Sequence, residues 1–245
     1  MDPARPGGEE GVSELRDAFD RGAARYDLLV GLNPGYHAHL HSAAASLASR
    51  IPADGLILDL ACGSGASTAA LGAAAPAARQ VLGVDLSDGM LERARSKPWP
   101  AKVSFQQGRV GDLDRERVGT GWDGVFASYL MRNVPAAERD AALREIHSLL
   151  APGGWLVLQE YSVEGDRLAT AVWDAVSWGV IIPLGTVIDR NPGLYRYLWR
   201  SVRDYDAKHV ALERMARAGF VDLASRTVGG WQRGILHTFI GRRPL

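Results

Sequence analysis

Leu58-Asp59-Leu60-Ala61-Cys62-Gly63-Ser64-Gly65 runs from an apolar strand through an acidic residue into a tight glycine turn. A second apolar run, Val81-Leu82-Gly83-Val84, ends on another acid, Asp85. A strand, a glycine elbow, a helix and a second strand tipped by a carboxylate make the first half of a nucleotide-binding α/β sheet. The elbow by itself leaves open which adenosine-bearing ligand it serves.

The surrounding pattern extends the sheet. Short β-rich runs at 56–60, 81–85, 103–106, 124–128 and 155–160 alternate with helical runs at 66–74, 87–96 and 135–150. Such alternation implies a mainly parallel, doubly wound sheet with right-handed crossovers. Ala151-Pro152-Gly153-Gly154 reads as a glycine stop for the last of these helices. A helix over 206–218 and two strands, near 220–227 and 234–241, suggest a closing antiparallel hairpin. On the N-terminal side, 1–12 reads as a frayed tail and 13–30 as an amphipathic helix. Asn33-Pro34-Gly35 then breaks the chain before a helix over 37–50. Residues 13–245 thus read as one domain. Within it, 161–205, rich in Trp, Tyr and Ile, reads as a helical cap over a binding site.

Composition narrows the classes. The 245 residues carry 28 Lys+Arg and 28 Asp+Glu, a net charge of zero that gives nucleic-acid binding no support. The single cysteine, Cys62, rules out an intrachain disulfide and suits a reducing cytosol. The first residues lack the apolar run of a signal peptide. No uninterrupted apolar run reaches the roughly 20 residues of a spanning helix, so a soluble protein is expected.

The elbow itself selects the ligand. A dinucleotide fingerprint needs a small residue at the third position of G-x-G-x-x-G, and here that position is Thr68. Asp59, four residues before the first glycine, belongs instead to the D-x-G/A-x-G-x-G pattern of S-adenosylmethionine enzymes. That molecule has no pyrophosphate, but its amino-acid end needs partners. Backbone carbonyls of the elbow suit the ammonium, Asp59 orients the turn, and glycines let the ligand lie against the backbone. Asp85 is placed to accept both ribose hydroxyls, and Met90 to lie over the adenine. A blander account makes Asp59 and Asp85 a cap and a turn residue, Met90 plain core, and Cys62 the filler of a niche in the elbow.

With these motifs in place, the chain resembles the class I S-adenosylmethionine-dependent methyltransferases, and within them the UbiE-like enzymes that C-methylate ubiquinone and menaquinone precursors. Leu130-Met131-Arg132-Asn133-Val134 is similar to that group's L-R-N-V segment, and Leu150-Ala151-Pro152-Gly153-Gly154 to its L-K-P-G-G turn. Ile182-Pro183-Leu184-Gly185, Tyr195-Arg196-Tyr197-Leu198, Ala218-Gly219-Phe220 and the stretch from Gly229-Gly230 to His237 follow its order. Phe19-Asp20 with Tyr26-Asp27 is similar to its F-D…Y-D. Three positions depart: Val30 stands for an asparagine, Leu40 for a tryptophan, and Arg109 where many methyltransferases place an acid for the adenine amino group, unless Asp112 reaches back. These changes are expected to fall mostly on the acceptor side.

The resemblance implies a Rossmann-like class I sheet and S-adenosyl-L-methionine as cofactor, held by Asp59, Ala61, Gly63, Gly65, Asp85 and Leu86, with Met90, Arg109, Val110 and Ser128. It implies methyl transfer to a ring carbon of a hydrophobic, demethylmenaquinol-like quinol or phenol. Arg132 would stabilise the phenolate, Asn133 would hold its geometry, and Tyr26 and His37 would contact ring hydroxyls. The competing account of Arg132-Asn133 is a capping pair before a helix at Pro135. His37 and His41 sit at i, i+4, but no third ligand follows at suitable spacing, so no metal is expected. A cytoplasmic location follows, with peripheral membrane contact if the acceptor carries a prenyl tail, and room for a homodimer. The rival readings are a secondary-metabolite C- or O-methyltransferase acting on a small aromatic or polyketide, a cyclase that binds S-adenosylmethionine without methyl transfer, and a non-catalytic binding protein.

Overall fold

The structure, a computed structural model, describes residues 33–189 and 192–245. The tail at 1–12, the helix expected over 13–30, Tyr26 and Val30 lie outside the described residues. Seven strands form one sheet in the order β3-β2-β1-β4-β5-β7-β6. They are β1 (Leu56–Leu60), β2 (Gln80–Asp85), β3 (Val103–Gln107), β4 (Trp122–Ser128), β5 (Leu150–Tyr161), β6 (Val221–Thr227) and β7 (Leu236–Arg242). The first five pair in parallel, whereas β7 runs antiparallel between β5 and β6. This is the doubly wound sheet with a closing antiparallel pair that the alternation implies.

The helices are α1 (Tyr36–Ala48), α2 (Ala66–Ala74), α3 (Asp88–Arg95), α4 (Arg115–Val118), α5 (Arg139–Leu149), α6 (Arg167–Val176), α7 (Ile182–Asp189), α8 (Pro192–Arg203) and α9 (Lys208–Arg217). Side chains alternate across the central strands, so each face of the sheet gains its own core. Leu58, Leu60 and Val125 pack with Ile146 and Leu149 of α5 and Met215 of α9. Ile57 and Phe126 face the other way, onto Leu40 and Leu47 of α1 and Leu71 of α2. Truncating the fully buried Phe126 to alanine would cost about 3–5 kcal/mol.

Two local expectations need correction. Helix α5 ends at Leu149 because Leu150 already turns to extended backbone (φ −69°, ψ 148°), so no glycine caps it. Gly153, at φ +80°, instead shapes a bend that exchanges backbone hydrogen bonds with Arg243. The second correction concerns the span 167–188. A π-turn at Ser177–Ile181 carries α6 into α7 past Gly179 and Pro183, giving one 22-residue helical run whose most apolar 18-residue window has a mean hydropathy of 1.6. By length and composition alone this run is sufficient to cross a membrane, although Asp174 interrupts its apolar sequence.

Candidate active site

Strand order reverses direction at β1, which has β2 on one side and β4 on the other. Ligands of open α/β sheets bind at the carboxyl ends of strands around such a switch point. Here a cleft of about 160 Å³ opens there, lined by Ala61 and Gly63 from the elbow, Asp85, Leu86 and Met90 around the β2–α3 junction, and Ser128 at the end of β4. Arg109 and Val110 close another side.

The elbow is fixed from beneath. Asp59 is fully buried and accepts the hydroxyls of Ser67 (2.7 Å) and Thr68 (2.6 Å). Burial pushes its carboxyl up to about 7, with those hydroxyls pulling the other way. Thr68, the residue that spoils the dinucleotide fingerprint, is thus a partner of the acid that replaces it. Asp59 does not line the cleft; it orients the turn by tying β1 to the first turn of α2. Gly65 is also outside the cleft. At φ +93°, any Cβ there would stand 2.8 Å from the Trp99 ring, so Trp99 accounts for this glycine. Gly63 differs: at φ +53° its missing Cβ leaves open space. Cys62 fills a niche against Gly83, and burial pushes its thiol up.

Asp85 accepts the N–H of Gly63 (2.8 Å) with Oδ2 and that of Ser87 (2.9 Å) with Oδ1. These two backbone donors fix the carboxylate where it lines the cleft, and a carboxylate there is the type of group that accepts hydroxyls. Arg109 lines the cleft beside Glu138, paired at 3.2 Å. Asp112 is exposed and does not line the cleft, so the acid in the cleft at this end is Glu138, which the sequence reading missed. Leu40, another departing position, is buried core and lines neither cavity. Arg109 lines this cleft alone and does not reach the aromatic cavity under the cap helices.

A second cavity, about 410 Å³, lies under α6, α7 and α8. Tyr36, Tyr129, Tyr161 and Trp173 stack in sequence, with centroid spacings of 5.8, 5.0 and 5.3 Å. Asn33 and Gln232 donate to the Tyr161 hydroxyl at 3.3 and 3.2 Å. His37 is exposed and lies outside both cavities, edge-on to Tyr36. Successive helical residues point about 100° apart, and Tyr36, not His37, is the residue α1 turns toward the chamber. The expected substrate contact by His37 is therefore withdrawn.

Tyr129 and Arg132 line both cavities. Tyr129 adopts φ +58°, a left-handed conformation costly for a bulky residue. It is held there by its N–H donating to the Gln159 carbonyl (2.8 Å) and its carbonyl accepting the Asn133 amide (2.9 Å). Asn133 also accepts the Tyr197 hydroxyl at 3.1 Å. It caps no helix, since α5 begins only at Arg139. Arg132 donates to Ser201 Oγ (2.6 Å) and pairs with Glu160 at 3.3 Å. Burial pushes the Glu160 carboxyl up to about 7 against the pull of Arg132. Arg139, itself buried, donates to the carbonyls of Met131 and Val134 and pairs with Asp206 at 2.9 Å. This pins the turn that carries Arg132. Glu160 and Arg139 were missed; the signal for Glu160 was an acid beside Gln159 near the end of a largely apolar strand.

A sequence profile described as the ubiE/COQ5 methyltransferase family matches residues 9–241. The chain belongs to that family. It is 32% identical over 243 residues to the ubiquinone/menaquinone biosynthesis C-methyltransferase UbiE of Syntrophotalea carbinolica, covering 98% of this chain and 97% of that one. To the demethylmenaquinone methyltransferase of Mycolicibacterium gilvum it is 31% identical, covering 96% and 97%. Among solved structures, the magnesium protoporphyrin IX methyltransferase of Synechocystis with bound SAH superposes with a TM-score of 0.66 at 18% identity. That match covers 95% of this chain and 99% of that one, and it speaks for the fold. The protein is an S-adenosyl-L-methionine-dependent methyltransferase. The open cradle at Gly63 and the backbone-aimed carboxylate of Asp85 fit the cofactor.

Proposed function

We propose that this enzyme methylates a ring carbon of a hydrophobic quinol-like acceptor of demethylmenaquinol type, held in the aromatic chamber. The observation that carries this reading is that Tyr129 and Arg132 belong to both cavities. The names of the two relatives described above agree with it. When bound, S-adenosylmethionine supplies an electrophilic methyl group. The chain's task is to align an acceptor carbon with it in a water-poor cavity.

A ring carbon becomes nucleophilic when the adjacent hydroxyl gives up its proton to water. Arg132 holds the resulting phenolate by charge and hydrogen bonding; as a guanidinium it is a poor base, so its contribution is electrostatic. Glu160 and Ser201 fix the guanidinium, and Asn133 fixes the Tyr129 turn. The ring carbon would take the methyl as the methyl–sulfur bond breaks and S-adenosylhomocysteine leaves, and would then lose its own proton to solvent, which restores the aromatic ring. The stacked aromatic side chains select a flat apolar acceptor. Cytoplasmic placement accords with the free thiol of Cys62.

The test is to incubate the enzyme with methyl-labelled S-adenosylmethionine and a panel of demethylated quinols and simple phenols, then locate the label by NMR. Label on a ring carbon of a prenylated quinol is expected. Transfer only to small phenols or to oxygen would replace this reading with a secondary-metabolite one, and cofactor binding with no transfer would point to a cyclase.

A further inference from the structure

Seven large apolar side chains are exposed among the described residues, and five of them lie on the single run 167–188: Leu168, Trp178, Val180, Leu184 and Val187. Monomeric proteins seldom expose so concentrated an apolar surface without a partner for it. From Ala175 to Ile188 the sequence has no charged residue, although only 22% of the most apolar window of this run is buried. Val180, Leu184 and Val187 recur at i, i+4 and i+7, a single helical stripe. Other positions of the run are committed to the protein, with Trp173, Ser177, Ile182 and Gly185 buried.

Two facts identify the occupant of the stripe. Val180 and Leu184 are exposed and at the same time line the aromatic chamber, so the chamber wall and the apolar surface are the same side chains. A long apolar molecule crossing that wall would leave an apolar medium and enter another without meeting water. A second protein copy seated there would instead cover this approach to the chamber. The flanking chemistry agrees: Trp178 is half exposed, an amphipathic ring suited to a lipid headgroup layer, and Arg196 and Arg200 stand exposed on α8 for anionic headgroups. Part of the run is buried against the domain, a placement that suits a helix lying on a membrane and not one crossing it.

We propose that the Val180–Leu184–Val187 stripe with Trp178 docks on an anionic lipid bilayer and that the acceptor's apolar tail enters the chamber through it. The idea rests on the quinol reading above for its substrate, but the docking is separable from it. The experiment uses the full chain with sedimenting vesicles of phosphatidylcholine alone or mixed with phosphatidylglycerol. Val187 lines neither cavity, so Val187→Asp serves as the disruptive variant and Val187→Ser as a mild one. The wild type should pellet with the anionic vesicles, V187D should partition at least about fivefold less, and V187S should fall between. Both variants should methylate a short, tail-free demethylquinol at the wild-type rate, while V187D turns over a prenylated quinol in vesicles at least about fivefold more slowly. Wild-type protein that stays in the supernatant, or V187D that pellets equally well, would overturn the proposal. So would a wild-type dimer that V187D dissociates without any vesicle binding. Vesicle binding lost in V187D supports docking even if no quinol is methylated, in which case only the acceptor reading falls.

Discussion

The cofactor cleft and the aromatic chamber share Tyr129 and Arg132, yet they are built by different means. The cleft is made at the ends of strands, from backbone turned by Gly63 and aimed through Asp85. Its buried acid, Asp59, works by holding the first turn of α2 and never reaches the ligand space. The chamber is made by side chains from distant parts of the sequence: Tyr36 on α1, Tyr161 on β5, Trp173 on α6. Its internal polar contacts are few and indirect, such as Asn33 and Gln232 on Tyr161. A pocket defined by turns constrains its ligand through a few fixed backbone positions. A pocket defined by side chains on helices can change its occupant by exchanging those side chains, with the sheet untouched. The two should therefore fail separately, except where they meet.

The largest effect is expected at the junction. Arg132→Lys keeps the charge but loses the planar fork that reaches both Glu160 and Ser201, and kcat should fall by about 10²–10³. Cofactor affinity measured by calorimetry should be nearly unchanged; a matching loss there would mean that Arg132 belongs to the cleft alone. Next, Asp85→Ala should weaken cofactor binding by about a hundredfold, since it removes a charged acceptor and releases two aimed N–H groups. Calorimetry that finds wild-type affinity would remove Asp85 from the ribose site.

A pH profile gives the third comparison. With Glu160 pushed up to about 7, its charged partnership with Arg132 is present above that pH and lost as pH falls through it. The rate should drop on the acid side near pH 7, and Glu160→Gln should give a lower rate without that limb. Stability moves in the opposite sense. The folded carboxyl holds a proton that the unfolded chain releases above its ordinary 4.5, so the Glu160 contribution to stability declines as pH rises from 4.5 toward 7. Denaturant titrations of the wild type and Glu160→Gln should differ most in that window. The smallest effect belongs to the chamber wall. Trp173→Leu should raise the acceptor KM about fivefold through lost ring stacking and leave the cofactor Kd alone, as separate binding and rate measurements would show.

The same contrast explains what could be read from the chain. Asp59, Gly63 and Asp85 stand in a spacing set by one strand-turn-helix-strand unit, so local sequence reports on their neighbourhood. Alternating apolar runs likewise reported the order of strands and helices, since both periodicities are local. Glu138, Glu160 and Arg139 were not legible because their roles depend on contacts across the fold: Glu138 reaches Arg109, Glu160 meets Arg132, and Arg139 meets Asp206. His37 illustrates the reverse error, since a chemically attractive side chain next to the correct one points away from the chamber. The helical character of the cap was legible from its apolar richness, but not the π-turn at Ser177–Ile181 that makes 167–188 continuous.

The most direct test of the junction is a crystal structure of the full chain with S-adenosylhomocysteine and a short demethylquinol. The sulfur side of the cofactor should face Tyr129 and the quinol ring should lie in the aromatic chamber, with a ring hydroxyl in hydrogen-bond reach of Arg132. A quinol bound elsewhere, or a ring turned so that Arg132 contacts neither hydroxyl, would contradict this arrangement.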